Sequence, residues 1–269
     1  MTRTVMQDRL GATVTGSGER VIVLANGLGT SQQTWRHVVA ALAPVARIVR
    51  FDNVCSPAAP AGGYRPEVYG SVFAYADDLV ALLDELDVRD ALVVGHSISG
   101  MIGMLAAIAA PERVSRLAMI CSTPRYLEDV DFRAGFPRER IDALLSAVQD
   151  DFRGWATVFS RVAVGDDATE AERAEFGDLL GAMRPDIALR TLQAVFFGDH
   201  RAMLSRVTQP VWVLHSHEDV VVPSSAGEYL VQQLPDARLV PLMTRGHVPH
   251  LTSPHEVIRP LQQLLEEWT

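Results

Sequence analysis

Ala91-Leu92-Val93-Val94-Gly95-His96-Ser97-Ile98-Ser99-Gly100, running on as MIGMLAAIAA to Ala110, is the stretch that decides the fold. A short apolar run, Ala91 to Val94, reads as a strand buried on both faces, and Ser97 to Ala109 reads as the helix that follows it. Between them a serine sits among small residues at a strand-to-helix turn, the arrangement of a nucleophile elbow. The chain reverses so sharply there that a side chain at Gly95, or a large one at Ser99, would clash. The turn pushes the Ser97 hydroxyl out above the sheet edge, and the helix N-terminus sets free N–H groups beside it for a developing oxyanion. The pattern departs from the usual G-x-S-x-G in its fifth residue, Ser99, with glycine only at position 100.

Outward from this turn, similar runs recur at Arg20 to Ala25, Arg47 to Phe51, Leu117 to Ile120, Pro210 to Leu214 and Arg238 to Leu242. Helical patterns lie between them at Gln32 to Leu42, Val72 to Leu86, Ala226 to Leu234 and His255 to Trp268. Alternating strands and helices predict an α/β fold with a doubly wound, mostly parallel sheet. One segment breaks the alternation. From Arg125 to Leu204 the pattern is wholly helical, with starts near Pro137, Asp150, Asp167 and Pro185. It reads as a helical lid, residues 125–204, inserted into a core of residues 1–124 and 205–269 and covering the strand ends where open α/β sheets bind ligands.

Ser97 needs a base and an orienting acid, and the chain supplies them in the order Ser, Asp, His expected of this topology. Asp219 follows the run PVWVL in HSHEDVVVP, and His247 follows RLVPL in TRGHVPHL, so both stand on the same sheet edge as Ser97. His247 would take the Ser97 proton while Asp219 fixes its tautomer and stabilises the imidazolium. His250 is the alternative base, and Glu218 adjoins Asp219 but should point away. The loop Asn26-Gly27-Leu28-Gly29-Thr30 after the first long run would bring the N–H of Leu28 to pair with that of Ile98 as an oxyanion hole. His215-Ser216-His217-Glu218-Asp219 has the H-x-H-x-D spacing of a dinuclear metal site, but the expected further histidine is Val220, so no metal is assigned.

Composition narrows the chemistry further. All 24 basic side chains are arginine, against 33 acidic ones, for a net charge of −9. Without a lysine, imine chemistry and a P-loop are excluded. The acidic balance offers no basic footprint for nucleic acid or an anionic membrane. Residues 1–20 have no apolar leader core and no run is long enough to span a membrane, so the chain reads as cytoplasmic. Cys55 and Cys121 are far apart and read as ordinary packed thiols.

The motifs NGLGTSQQTW, RFDNVC, GHSISGMIG, GWATVF, MRPDIALRTLQAVFFGDHR and RGHVPHLTSP together resemble the α/β-hydrolase superfamily over essentially the whole chain. Within it they resemble the group of the bacterial stress-signalling hydrolase RsbQ and the plant strigolactone and karrikin receptors, with GWATVF and FFGDHR most similar to the RsbQ branch. The resemblance places Ser97, Asp219 and His247 on the family's triad and Leu28 with Ile98 on its oxyanion hole. Relatives usually carry histidine before Gly27, where this chain has Asn26. The resemblance also implies a V-shaped four-helix lid over an apolar pocket lined by Leu28, Phe136, Trp155, Phe159, Val195, Phe196 and Val220. Such a pocket suits a small apolar ester, lactone or enol-ether, with no cofactor. Two roles follow: a metabolic ester hydrolase, or a signalling hydrolase that binds a hydrophobic messenger and engages a partner such as a PAS-domain phosphatase.

Overall fold

The computed structural model describes residues 5–268; the first four residues of the stretch read for a leader lie outside it, as does Thr269. The strands are β1 (Thr13–Thr15), β2 (Val21–Ala25), β3 (Arg47–Phe51), β4 (Ala91–His96), β5 (Val114–Ile120), β6 (Val211–Glu218) and β7 (Ala237–Arg245). They form one sheet in the order β1-β3-β2-β4-β5-β6-β7. Every pairing is parallel except β1 with β3. The helices are α1 (Val5–Leu10), α2 (Arg36–Leu42), α3 (Val72–Glu85), α4 (Ile98–Ala109), α5 (Arg138–Asp150), α6 (Phe152–Val164), α7 (Glu170–Gly181), α8 (Pro185–Phe197), α9 (Arg201–Leu204), α10 (Ser224–Gln233), α11 (Pro249–Thr252) and α12 (Pro254–Glu267).

Strand periodicity divides the core in two. In β2, Val21, Val23 and Ala25 pack on the face of α3 and α4, while Ile22 and Leu24 pack on the opposite face with Trp35, Leu42, Leu261 and Trp268. Both faces of the central strands are therefore buried, which is why these strands read as continuous apolar runs. β1 escapes that reading because it is three residues long, antiparallel and exposed at Thr13 and Val14.

Helices α5 to α8 all fall between β5 and β6. Local signals set their starts: Asp151 caps α6 by accepting from the Gly154 N–H at 3.0 Å. Thr169 and Glu172 form a reciprocal capping box on α7, and Pro185 opens α8. Where the chain leaves β5 and where it returns, four charges meet. Arg125 bonds Asp199 and lies 3.3 Å from Asp129, and Arg201 lies 2.9 Å from Asp129 and 2.7 Å from Asp199. No helix among the described residues is long and apolar enough to cross a membrane. Cys55 and Cys121 are both buried and unbridged.

Candidate active site

The turn after β4 is as tight as its sequence demands. A Cβ on Gly95 would come within 2.1 Å of the Ser99 carbonyl oxygen, and one on Gly100 within 2.1 Å of the Ser122 hydroxyl. Ser97 itself has φ 56° and ψ −123°, a left-handed conformation costly for a residue with a Cβ. The surroundings hold it there. Its N–H donates to the Ile120 carbonyl at 2.8 Å, and its own carbonyl accepts from the Ser122 hydroxyl at 2.9 Å.

The ends of β6 and β7 bring the other two groups in. His247 Nε2 lies 2.9 Å from Ser97 Oγ, and His247 Nδ1 lies 2.7 Å from Asp219 Oδ2. Asp219 Oδ1 accepts the N–H groups of Val221 at 2.8 Å and Val222 at 3.0 Å, which fixes the carboxylate in the turn. Burial pushes this carboxyl up, but the facing His247 and the Val222 N–H outweigh that and hold it below its ordinary value. An ionised Asp219 can only accept, so Nδ1 of His247 carries the proton and Nε2 is left to receive one from the Ser97 hydroxyl. The main-chain N–H of His247 donates to the Ala163 carbonyl of α6 at 2.6 Å, tying His247 to the helical insertion.

The Asn26–Thr30 loop packs directly on this pair. A Cβ on Gly27 would sit 2.4 Å from His96 Nδ1 and 3.2 Å from Ser97 Cβ. Thr30 closes the loop by donating its hydroxyl to the Gly27 carbonyl at 2.8 Å, and Asn26 Nδ2 donates to the Thr30 carbonyl at 2.9 Å. Among the described residues the Leu28 N–H donates to nothing, and Ile98, as the first residue of α4, has no acceptor within its helix. Asn26 thus closes the loop through its side-chain amide.

The remaining histidines take other places. Burial and the nearby His247 push His96 down to about 3. Neutral, it donates Nε2–H to the His247 carbonyl at 2.7 Å. His250 does not reach Ser97: it stacks on Trp35 at 4.0 Å, with Nε2 3.2 Å from the Thr34 hydroxyl. Glu218 turns outward to Arg245 at 3.2 Å. His215 is buried against the Val222 carbonyl at 3.0 Å while His217 is exposed, so the H-x-H-x-D residues do not converge. Cys121 Sγ approaches Asp219 and His247 within 4.8 Å, but burial holds its thiol well above the usual value, in the protonated form that ligates poorly.

The expected pocket residues divide. Val195 lines, with Ile98, Met101 and Tyr126, a cavity of about 10 Å³ beside the turn. Phe196 is buried with its ring edge against Tyr126, 5.1 Å between centroids. Trp155 and Phe159 stack on each other at 5.0 Å, and with Leu28 and Phe136 they are half-buried against the main core. Val220 departs from expectation. It is 51% exposed and borders an outer groove with Arg161, Val162 and Arg245. Its neighbour Asp219 points inward to His247, so the next side chain along the turn faces out. Tyr126, which sequence reasoning missed, is buried and lines the small cavity beside the turn together with Ile98. Its signal was position alone, just beyond the end of β5 on the same sheet edge.

The alpha/beta hydrolase family matches residues 22–259. The chain is 37% identical over 255 residues to the karrikin insensitive 2 receptor CA of Petunia hybrida, covering 94% of each chain. It is 36% identical over 264 residues to the strigolactone esterase D14 of Arabidopsis thaliana, covering 96% of this chain and 97% of that one. A solved hydrolase from Oleispira antarctica superposes with a TM-score of 0.93 at 26% identity, covering 97% of this chain and 96% of that one.

Proposed function

The chain belongs to the alpha/beta hydrolase family and is an enzyme of that family, and from this premise we propose that it cleaves small apolar carboxylic esters or lactones through an acyl-serine at Ser97. The observation that carries the reading is the relay from Ser97 Oγ to His247 Nε2 at 2.9 Å and from Nδ1 to Asp219 at 2.7 Å. Ser97 Oγ attacks the carbonyl carbon as its proton passes to His247. The N–H groups of Leu28 and Ile98 hold the oxyanion, and collapse expels the alcohol, which leaves with the proton from His247. Water, deprotonated by His247, then attacks the acyl group, and Ser97 recovers its proton as the acid departs. Helices α5 to α8 act as a lid over this centre.

Turnover of p-nitrophenyl acetate by the wild-type chain, falling about 10³-fold or more in Ser97→Ala, is the expected result; equal rates would sink the assignment. A serine-directed sulfonyl fluoride labels Ser97, and His247→Ala prevents the labelling. Undiminished labelling in that variant would move the base elsewhere.

A second reading, supported by the similarity to a karrikin receptor and by a Ser97 only 8% exposed, is slow turnover of a hydrophobic messenger coupled to a partner. An RsbQ-like pairing with a PAS-domain phosphatase is one such case. Single-turnover kinetics, with the acyl group held on Ser97, would separate this from metabolic turnover.

A further inference from the structure

Beside His200, a cleft of about 500 Å³ opens between the N-terminus of α3 and the C-terminal half of α8. That size accommodates a small molecule. Ser71, which precedes α3, and Val72 and Phe73 at its start form one wall, and Arg190, Phe197 and His200 contribute to the other. Val72 and His200 also wall the small cavity that touches Ile98, so the cleft and the active site share a partition.

The polar groups here are mostly donors without acceptors. Helix α3 has 14 residues, no acidic side chain in its first turn and no side-chain bond at its Ser71 cap. Its first N–H groups therefore present uncompensated positive ends to the cleft. Among the described residues Arg190 pairs with no carboxylate. His200 lines the cleft while 94% buried, and neither of its ring nitrogens has a hydrogen-bond partner among the described residues, a costly condition for the buried Nδ1. One carboxylate, Asp199, also borders the cleft, but Arg125 and Arg201 already hold it. Two large apolar side chains stand open at the same place, Phe73 at 45% and Phe197 at 42% exposure. Such rings are exposed singly on many surfaces, but here they flank the donors of one cleft.

We propose that this cleft is a second ligand site, distinct from the one at Ser97, that binds a small carboxylate with an aromatic-sized apolar body. The carboxylate lies between the α3 N-terminus and the Arg190 fork, which matches its planar geometry, and the body packs between Phe73 and Phe197. The His200 ring contributes the remaining polar contact at the partition.

Phenylacetate is the probe, and calorimetric titration of the full-length Ser97→Ala chain reads binding without any turnover. The expected result is one-to-one binding, weakened at least tenfold for the neutral analogue phenylacetamide. Arg190→Gln, added to Ser97→Ala, weakens phenylacetate by a similar factor. So does Ser71→Asp, which caps α3 and sets a negative charge where the ligand carboxylate belongs, while raising rather than lowering the melting temperature. Introduced singly into the wild-type chain, neither change alters p-nitrophenyl acetate turnover. Phenylacetate affinity unchanged in both variants would overturn the proposal, as would loss of binding when Ser97 of the wild-type chain is blocked by a sulfonyl fluoride, since the anion would then occupy the active site. Because binding is read directly, a failure of the esterase assay leaves this result separately legible.

Discussion

Ser99 stands where the common elbow motif has glycine, and its hydroxyl donates to the Asn26 carbonyl at 2.7 Å. Asn53 Nδ2 joins the same pair, 3.0 Å from that carbonyl and 3.2 Å from Ser99 Oγ. The turn that carries Ser97 is thereby fastened to the loop that carries the Leu28 N–H. Ser99→Ala removes one donor and leaves Asn53 in place, so the expected loss of stability is about 1 kcal/mol. The larger effect falls on geometry: kcat for p-nitrophenyl acetate drops about tenfold with KM nearly constant, because the oxyanion contact forms only in the transition state. A change in KM with kcat intact would assign Ser99 to ground-state binding instead. Asp219→Asn is expected to cost about 10⁴ in kcat while leaving the fold intact, since an amide can pair with the wrong tautomer of His247. That Ser97, Asp219 and His247 come together was legible in the sequence because each directly follows a recognisable strand, and strand ends share one edge. The bond from Ser99 to Asn26 was not, because it depends on β2 and β4 being neighbours in the sheet, which no local pattern announces.

The inserted helices are fastened at their base by Arg125, Asp129, Asp199 and Arg201. The Arg201 guanidinium holds Asp199 down to about 2, with its N–H and Arg125 adding to the effect. A carboxylate whose folded pKa is depressed stabilises the fold above its unfolded pKa of about 4 and loses that contribution as pH falls toward 2. Arg201→Gln is therefore less stable than wild type at pH 6, and the gap narrows between pH 4 and pH 3 when followed by urea denaturation. A gap of the same size at pH 3 as at pH 6 would show that Arg201 acts through its packing on Phe132, where its guanidinium lies 5.7 Å from the ring centre. The elements themselves were largely visible in the sequence, the central strands as two-sided apolar runs and the inserted helices through starts read near Pro137, Asp150, Asp167 and Pro185, each within a few residues of the observed one. What stayed hidden was decided by neighbours rather than by pattern. β1 exists because β3 offers it an edge, and Val220 faces out because Asp219 is drawn in.

The whole molecule buries imidazoles as neutral groups, and that ties its stability to pH. His96 is pushed down to about 3 and His250 well below its usual value, in both cases chiefly by burial, and His215 and His200 are lowered for the same reason. A base whose folded pKa is depressed leaves the unfolded chain to take the proton first. The stabilisation is therefore complete above about pH 6.5 and is lost as pH falls below it. For His96 that loss runs at about 1.4 kcal/mol per pH unit, or roughly 2 kcal/mol by pH 5, and His250 adds to it in the same direction. Asp78 works in the opposite sense: burial raises it to about 6, so the folded chain protonates it first and recovers part of the loss between pH 6 and pH 4. The histidines outnumber it, and total stabilities are only about 5–15 kcal/mol. The melting temperature should thus fall by about 5–10 °C between pH 7.5 and pH 5. His250→Phe keeps a ring stacked on Trp35 while removing one titrating group, so its fall over the same range should be shallower than that of the wild type. An equal fall would mean that His250 is not a source of the acid sensitivity, and the burden would pass to His96, whose Nε2–H holds the main chain of His247 and so couples the loss of the fold to the loss of the base.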